Sequence, residues 1–207
     1  MASELKKKNK DELIDLINSL KEENAALKEI HKSYSQQNER MEKLEREFYR
    51  NQQYHRRNSI EISGIPSTVD QKNLETEVIR IYNTAQVIVD GDEVSAKDIQ
   101  AAHRIGKKGV VICKFVNRKW AYEGLYNGKN LKDRDLYGNN SKVYINNSFC
   151  DEFRHLNFLI RRAKKNDKIS RWRVKNGINF IKIKDDDFVE VSHINDLIQM
   201  KIAEVSE

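Results

Sequence analysis

One column of apolar residues recurs every seven positions near the start of the chain: Leu13, Leu20, Leu27, Tyr34, Met41 and Phe48. A seven-residue period keeps a single stripe turned toward a partner helix and winds the helices into a left-handed supercoil. Neither glycine nor proline interrupts residues 1–63, so no turn signal breaks the helix. The companion column is mixed. With the first column at position a, position d reads Leu16, Glu23, Ile30, Gln37 and Leu44. With it at d, position a reads Ile17, Asn24, His31 and Asn38. Polar residues enter the seam in either register, which lowers stability and helps to fix register and oligomer state. Almost everything between the columns is Lys, Glu, Asn or Gln, so a lone helix would leave its stripe in water. The pattern therefore predicts a homo-oligomer joined through the six-residue column. An intramolecular helical hairpin is disfavoured for want of a turn, and the columns leave dimer and trimer open.

The chain of 207 residues is 34% charged and 38% hydrophobic, with a formal net charge of +6. Dividing that charge is more informative than its sum. Residues 1–55 hold eleven bases and eleven acids, so residues 56–207 carry the whole excess. Between Lys142 and Lys184 there are twelve bases against only Asp151, Glu152 and Asp167, a local charge of +9. Such a block attracts a polyanion by releasing its counterions, with little regard to base sequence. A merely solvated face would interleave acids with its bases. Two cysteines, Cys113 and Cys150, cannot staple a fold of this size, which predicts a reducing, intracellular setting, cytoplasmic or nuclear. No apolar run is long enough to span a bilayer, and the charged start lacks the apolar segment of a secretory signal. No membrane partner is expected.

After the helix the pattern changes to short α/β units. Ile60–Ile65 alternates and ends at Pro66, and residues 70–85 place Leu74, Val78, Ile81 and Tyr82 at helical spacing. A loop around Asp90-Gly91-Asp92 leads to an extended stretch, 98–105, and Gly106-Lys107-Lys108-Gly109 turns it into the apolar strand Val110–Val116. A short helix over 118–126 and a strand over 142–145 complete the order β-α-β-β-α-β, the ferredoxin-like plan used by RNA-recognition motifs. The final unit opens with a helix over 150–166, apolar at Phe153, Leu156, Ile160 and Ala163 and basic at Arg154, Arg161, Arg162, Lys164 and Lys165. Ile169–Val174 then alternates, and Asn176-Gly177 is a strong hairpin signal. A return strand over 179–184 follows, with a third strand over 188–191 and a closing helix capped by Ser192. On the hairpin Arg171, Arg173 and Lys175 share one face, and Trp172 and Val174 the other. A basic sheet face beside a basic helix predicts a groove for a phosphate backbone. The fold class read from this is α+β: a coiled-coil segment over 1–57, a ferredoxin-like domain over 58–147 and a small basic α/β domain over 148–207.

Four stretches in this order resemble a known family: Arg56-Arg57-Asn58-Ser59-Ile60-Glu61-Ile62-Ser63-Gly64-Ile65 after a coiled coil, Ala102-His103-Arg104-Ile105 before the Val110–Phe115 strand, Val143-Tyr144-Ile145-Asn146 before the basic helix, and Trp172-Arg173-Val174-Lys175-Asn176-Gly177 with its return strand. The chain is similar in these to the first open-reading-frame proteins of LINE-type retrotransposons and to the related baculoviral FP (few-polyhedra) proteins. The resemblance spans nearly the whole chain. It implies a parallel trimer carrying an RNA-recognition-motif domain and an FP-type C-terminal domain that together bind single-stranded RNA or DNA. The retrotransposon branch adds nucleic-acid chaperone behaviour, and the viral branch is tied to virion and occlusion-body production, where the coiled coil scaffolds protein partners.

RNA-recognition motifs usually stack bases on aromatic residues of the two central strands. Here those strands offer Ile60, Ile62, Val111 and Cys113, with only Phe115 aromatic. The expected contacts are therefore electrostatic: Arg56, Arg57, Arg104, Lys107 and Lys108 beside the basic C-terminal groove of Arg154, Arg161, Arg162, Lys164, Lys165, Arg171, Arg173 and Lys175. That set predicts weak sequence preference and steep salt dependence. Cys150 and His155 are too few for a metal site, and Asp185-Asp186-Asp187 reads as a solvated turn rather than a magnesium cluster. The Gly106–Gly109 stretch has the form of a phosphate-clamping loop, but strands flank it where helices should. Trp172 is expected in the core rather than against a base. With no nucleotide loop, nucleophile elbow or zinc-protease helix, the expectation is a binding protein that is no enzyme and needs neither metal nor cofactor.

Overall fold

The computed structural model describes residues 2–106, 109–138, 141–184 and 186–203, with side chains of the first helix described at residue 10 and from residue 12 onward. The chain is a mixture of helix and antiparallel sheet, α+β in class, that begins with one long helix. It divides into two units, Met1–Glu47 and Phe48–Glu207.

The first unit is helical throughout and lies within α1 (Ala2–His55), 54 residues without interruption. In the single chain Leu13, Leu20, Leu27, Tyr34 and Met41 all stand in water, between 47% and 63% exposed, and so do Leu16 and Ile30. Helix propensity and pairs such as Arg46–Glu42, 2.6 Å apart and one turn removed, favour the helix locally.

The second unit starts with the last turns of α1. It continues through β1 (Ser59–Ser63), α2 (Leu74–Thr84), β2 (Ile88–Val89), β3 (Asp92–Glu93), β4 (Ile99–Ile105), β5 (Val110–Phe115), α3 (Arg118–Asn127) and β6 (Tyr144–Asn147). Four strands form an antiparallel sheet in the order β4-β5-β1-β6. Alternation along β1 and β5 turns Ile60, Ile62, Val111, Cys113 and Phe115 to one face, where all are fully buried. Leu74, Val78, Ile81 and Tyr82 of α2, with Trp120 and Ala121 of α3, close that face. Burying each large side chain stabilises the fold by about 1.5–3 kcal/mol. The helices meet closely: the Tyr82 hydroxyl donates to the Trp120 carbonyl at 3.2 Å. A Cβ at Gly124 would lie only 2.1 Å from that hydroxyl.

This burial corrects the reading of the sheet's binding face. Ile60, Ile62, Val111, Cys113 and Phe115 are core, and the open face carries Glu61, Ser63, Val110, Ile112 and Lys114 instead. The two central strands place no aromatic ring on that face. The Asp90-Gly91 stretch, read as a loop, is the turn of the small β2–β3 hairpin.

After β6 come α4 (Asp151–Lys165), β7 (Arg171–Lys175), β8 (Ile178–Lys182), β9 (Val189–Val191) and α5 (Ile194–Gln199). Acids Asp151 and Glu152 open α4, and Arg162, Lys164 and Lys165 close it, which suits the helix dipole at both ends. β7, β8 and β9 form a three-stranded antiparallel sheet. Asn176 and Gly177 both take positive φ, +54° and +78°, the two-residue turn whose twist matches its strands. Leu156, Ile160 and Ala163 of α4 pack with Ile181, Val191 and Leu197 in a separate core. The cap of α5 is His193 and not Ser192: its ring nitrogen accepts from the Asn195 N–H, while Asp196 accepts from the N–H groups of Ser192 and His193.

A third cluster, Phe149, Cys150 and Phe153 with Tyr49, Val174 and Ile178, ties the end of α1 to the last lobe. Gln53 sits beside it, 1% exposed. Its amide nitrogen donates to the Ser148 carbonyl and its oxygen accepts from the Cys150 N–H, both at 3.0 Å.

Candidate functional site

The second unit encloses a cleft of about 1000 Å³. Gln53, Ser148 and Phe149 line its base, where α1 ends and the chain crosses from β6 to α4. One wall is α3 with the β2–β3 hairpin, presenting Arg118, Lys119, Tyr122 and Tyr126. The opposite wall is α4 and β7, presenting Arg161, Trp172, Arg173 and Lys175. Arg56 and Arg57 stand where α1 gives way to β1. Seven bases thus line the cleft against two acids, Asp90 and Glu123, and Lys119 holds Asp90 at 2.7 Å.

Rings alternate with these bases. Tyr122 and Tyr126, one turn apart on α3, are 62% and 61% exposed. Their places follow from the helix period: Trp120, Ala121 and Gly124 go inward, so positions 122 and 126 face out. The Arg161 guanidinium lies 5.8 Å from the Trp172 ring, and Arg57 lies 3.7 Å above Tyr54 just outside the cleft. Arg173 rests on Phe188 at 4.0 Å. Stacked guanidinium groups keep their charge while their planes are held in place. Chemically the cleft can hold an extended polyanion and offer flat faces to planar groups attached to it.

The residues expected from sequence separate into groups. Arg56, Arg57, Arg161, Arg173 and Lys175 come together in the cleft. Arg104 does not: its guanidinium donates to the carbonyls of Ile65, Pro66, Val69 and Gly109 at 2.5–3.2 Å, bracing the connections at one end of the sheet. Arg154 pairs with Glu61 at 2.7 Å and donates to the Phe149 carbonyl. Arg162, Lys164, Lys165 and Arg171 are exposed outside the cleft lining, and Lys107 and Lys108 lie outside the described residues. The groove expected between a basic sheet face and a basic helix forms only in part, through Arg161, Arg173 and Lys175 in the cleft. α4 packs on the Trp172 and Ile181 face of the sheet, so the Arg171–Arg173–Lys175 face turns away from it. Trp172 is half-buried against the core and also lines the cleft, its ring N–H buried without a partner. Phe48 is 57% exposed, on a different side of α1 from the packed Tyr49 and Gln53.

Arg118, Lys119, Tyr122 and Tyr126 were missed by sequence reasoning. The available signal was aromatic residues at i and i+4 behind two bases, in a helix otherwise notable only for its core positions. Both thiols are held protonated by burial, Cys113 up to about 12 with Glu75 adding to the effect, so neither is poised as a nucleophile. Among the described residues no three His, Cys, Asp or Glu side chains gather as a metal-binding group, and no helix is long and apolar enough to cross a membrane. The chain matches no protein-family model and no curated protein sequence.

Proposed function

We propose that this chain is an oligomeric, non-enzymatic binder of single-stranded nucleic acid that holds the strand in the cleft between α3 and the β7 hairpin. The observation that carries the reading is the concentration there of seven bases with the exposed rings of Tyr122 and Tyr126, the second of which carries the Lys129 ammonium over one face at 4.1 Å. Phosphates meet the bases, and any base has a face to stack, so affinity comes with little sequence preference. The strand order β4-β5-β1-β6 with two helices on one face supports an RNA-recognition-motif plan for residues 58–147. In that plan the strand is gripped beside the sheet rather than on it, in keeping with the lack of rings on the open face of the central strands. The exposed column of α1 supports self-association into a coiled coil, a trimer by the resemblance to the retrotransposon and FP proteins. Joining several weak clefts raises the effective concentration of each for one long strand.

Fluorescence anisotropy with a labelled single-stranded oligonucleotide over a salt series tests this. Five to seven phosphate contacts predict a log–log slope of about −3.5 to −5. Reversing Arg161 and Arg173 to Glu should abolish binding while light scattering shows the oligomer intact. Salt-insensitive binding, or loss of a protein partner with oligonucleotide affinity unchanged, would refute the reading in favour of a scaffold.

A further inference from the structure

The outer face of α4 sets an exposed aromatic ring before a run of bases. Phe158 is 60% exposed and lies at the middle of the helix's solvent arc, opposite Leu156, Ile160 and Ala163. Around it the helix period sets bases: Arg161 lies roughly 60° round and about 4.5 Å along, and Arg162 roughly 40° round on the other side and about 6 Å along. Lys165 is almost in line with it, about 10.5 Å further on. All three are exposed. On the other side of the ring Arg154, one turn back, is already paired with Glu61 at 2.7 Å, and Asp151 lies two turns back at the helix start. Arg161 belongs to both surfaces, since it also lines the cleft next to Trp172.

We infer that a single strand leaving the cleft passes over Arg161 onto the outer face of α4, where a base stacks on Phe158 and Arg162 and Lys165 hold the flanking phosphates. The occupant is fixed by charge complementarity: a flat ring followed along the helix by three exposed bases suits a polyanion that carries planar groups. The inference rests on the nucleic-acid reading above and extends its footprint. A strand long enough to leave the cleft gains a second grip, and a strand that fills only the cleft does not.

The test compares Phe158→Ala and wild type, as full chains, against oligodeoxythymidylates of about 5 and about 20 nucleotides, lengths spanning the footprints of single-strand grooves. Phe158 belongs to none of the buried clusters, and an unchanged melting temperature verifies that the variant stays folded. The expected result is a weakening of roughly 5- to 150-fold on the long strand, the usual effect of removing one stacking ring. On the short strand the change should stay within about twofold, and Phe158→Trp should keep the long-strand affinity. Unchanged long-strand binding would overturn the inference, as would an equal loss on both lengths. Loss of self-association with oligonucleotide affinity intact would overturn it too, by making the ring a protein contact. If Phe158→Ala is silent while Arg161→Glu with Arg173→Glu abolishes binding, the inference fails and the cleft reading stands. If wild type binds neither length at low salt, both fail.

Discussion

Gly177→Ala isolates one contact on which the cleft depends. Gly177 takes φ +78°, and a Cβ there would lie 2.3 Å from the amide nitrogen of Gln53. Two costs follow. Left-handed backbone costs an alanine about 1–2 kcal/mol, offset by about 0.4–1 kcal/mol from a less flexible unfolded chain. The larger cost arises because Gln53 cannot step aside. Its amide is engaged at both ends, with the Ser148 carbonyl and the Cys150 N–H. Displacing it strands two buried backbone groups at about 1–3 kcal/mol each. The expected destabilisation is about 3–5 kcal/mol, read as a shifted urea midpoint followed by circular dichroism. Gln53→Ala alone removes the same two bonds and opens space for the new methyl group. The double variant should therefore be less destabilised than the sum of the singles, by about 2–4 kcal/mol, the cost of the two stranded groups counted once. Strict additivity, or a Gly177→Ala cost below about 1 kcal/mol, would refute the argument that Gln53 is pinned against the hairpin turn.

Two further expectations concern stability. Arg104→Lys replaces a planar fork by a point charge and cannot serve four carbonyls at once, so it should destabilise by about 1–3 kcal/mol in thermal melts while leaving the salt slope of oligonucleotide binding unchanged. A reduced slope would return Arg104 to the interface. Burial of Glu77 works to raise its pKa, but hydrogen bonds from Arg80 and Tyr137 and the Arg80 charge outweigh this and hold its carboxylate below the usual range. The folded chain therefore binds that proton less readily than the unfolded chain. The contribution is complete above the ordinary glutamate value of about 4.3 and is lost as pH falls through the depressed one. Glu77→Gln should flatten the acid limb of a stability–pH curve, and an unchanged limb would remove Glu77 from the account.

Elements with a strong period were legible in the sequence. The long helix, the alternating Ser59–Ser63 strand, the apolar face of α4 and the Asn176-Gly177 hairpin all follow from spacing and turn chemistry. Short elements were not, because a strand of two residues such as Ile88–Val89 shows no alternation. Which face of a strand lies inward was also misread. Ile60 and Ile62 alternate visibly, but only the covering helices fix them as core and leave Glu61 outside. The basic block was visible as charge, while its division was not. Charge density cannot tell Arg161, which lines a cleft, from Arg154, which is paired with Glu61. Arg104 illustrates the same limit, since a guanidinium reads identically whether it meets phosphates or four carbonyls of its own chain.

Gly124 links two properties that would otherwise be free of each other. The methyl group it lacks lets α3 lie against Tyr82, and Tyr122 and Tyr126 ride on that same helix two residues to either side. The depth at which α3 seats in the core therefore sets how far both rings reach into the cleft. Any side chain at 124 must lift the helix or turn it, carrying both rings along without altering a residue that a ligand touches. Affinity for a ligand in this cleft can thus drift through a position with no access to solvent, and variation confined to the core becomes variation in what the surface holds.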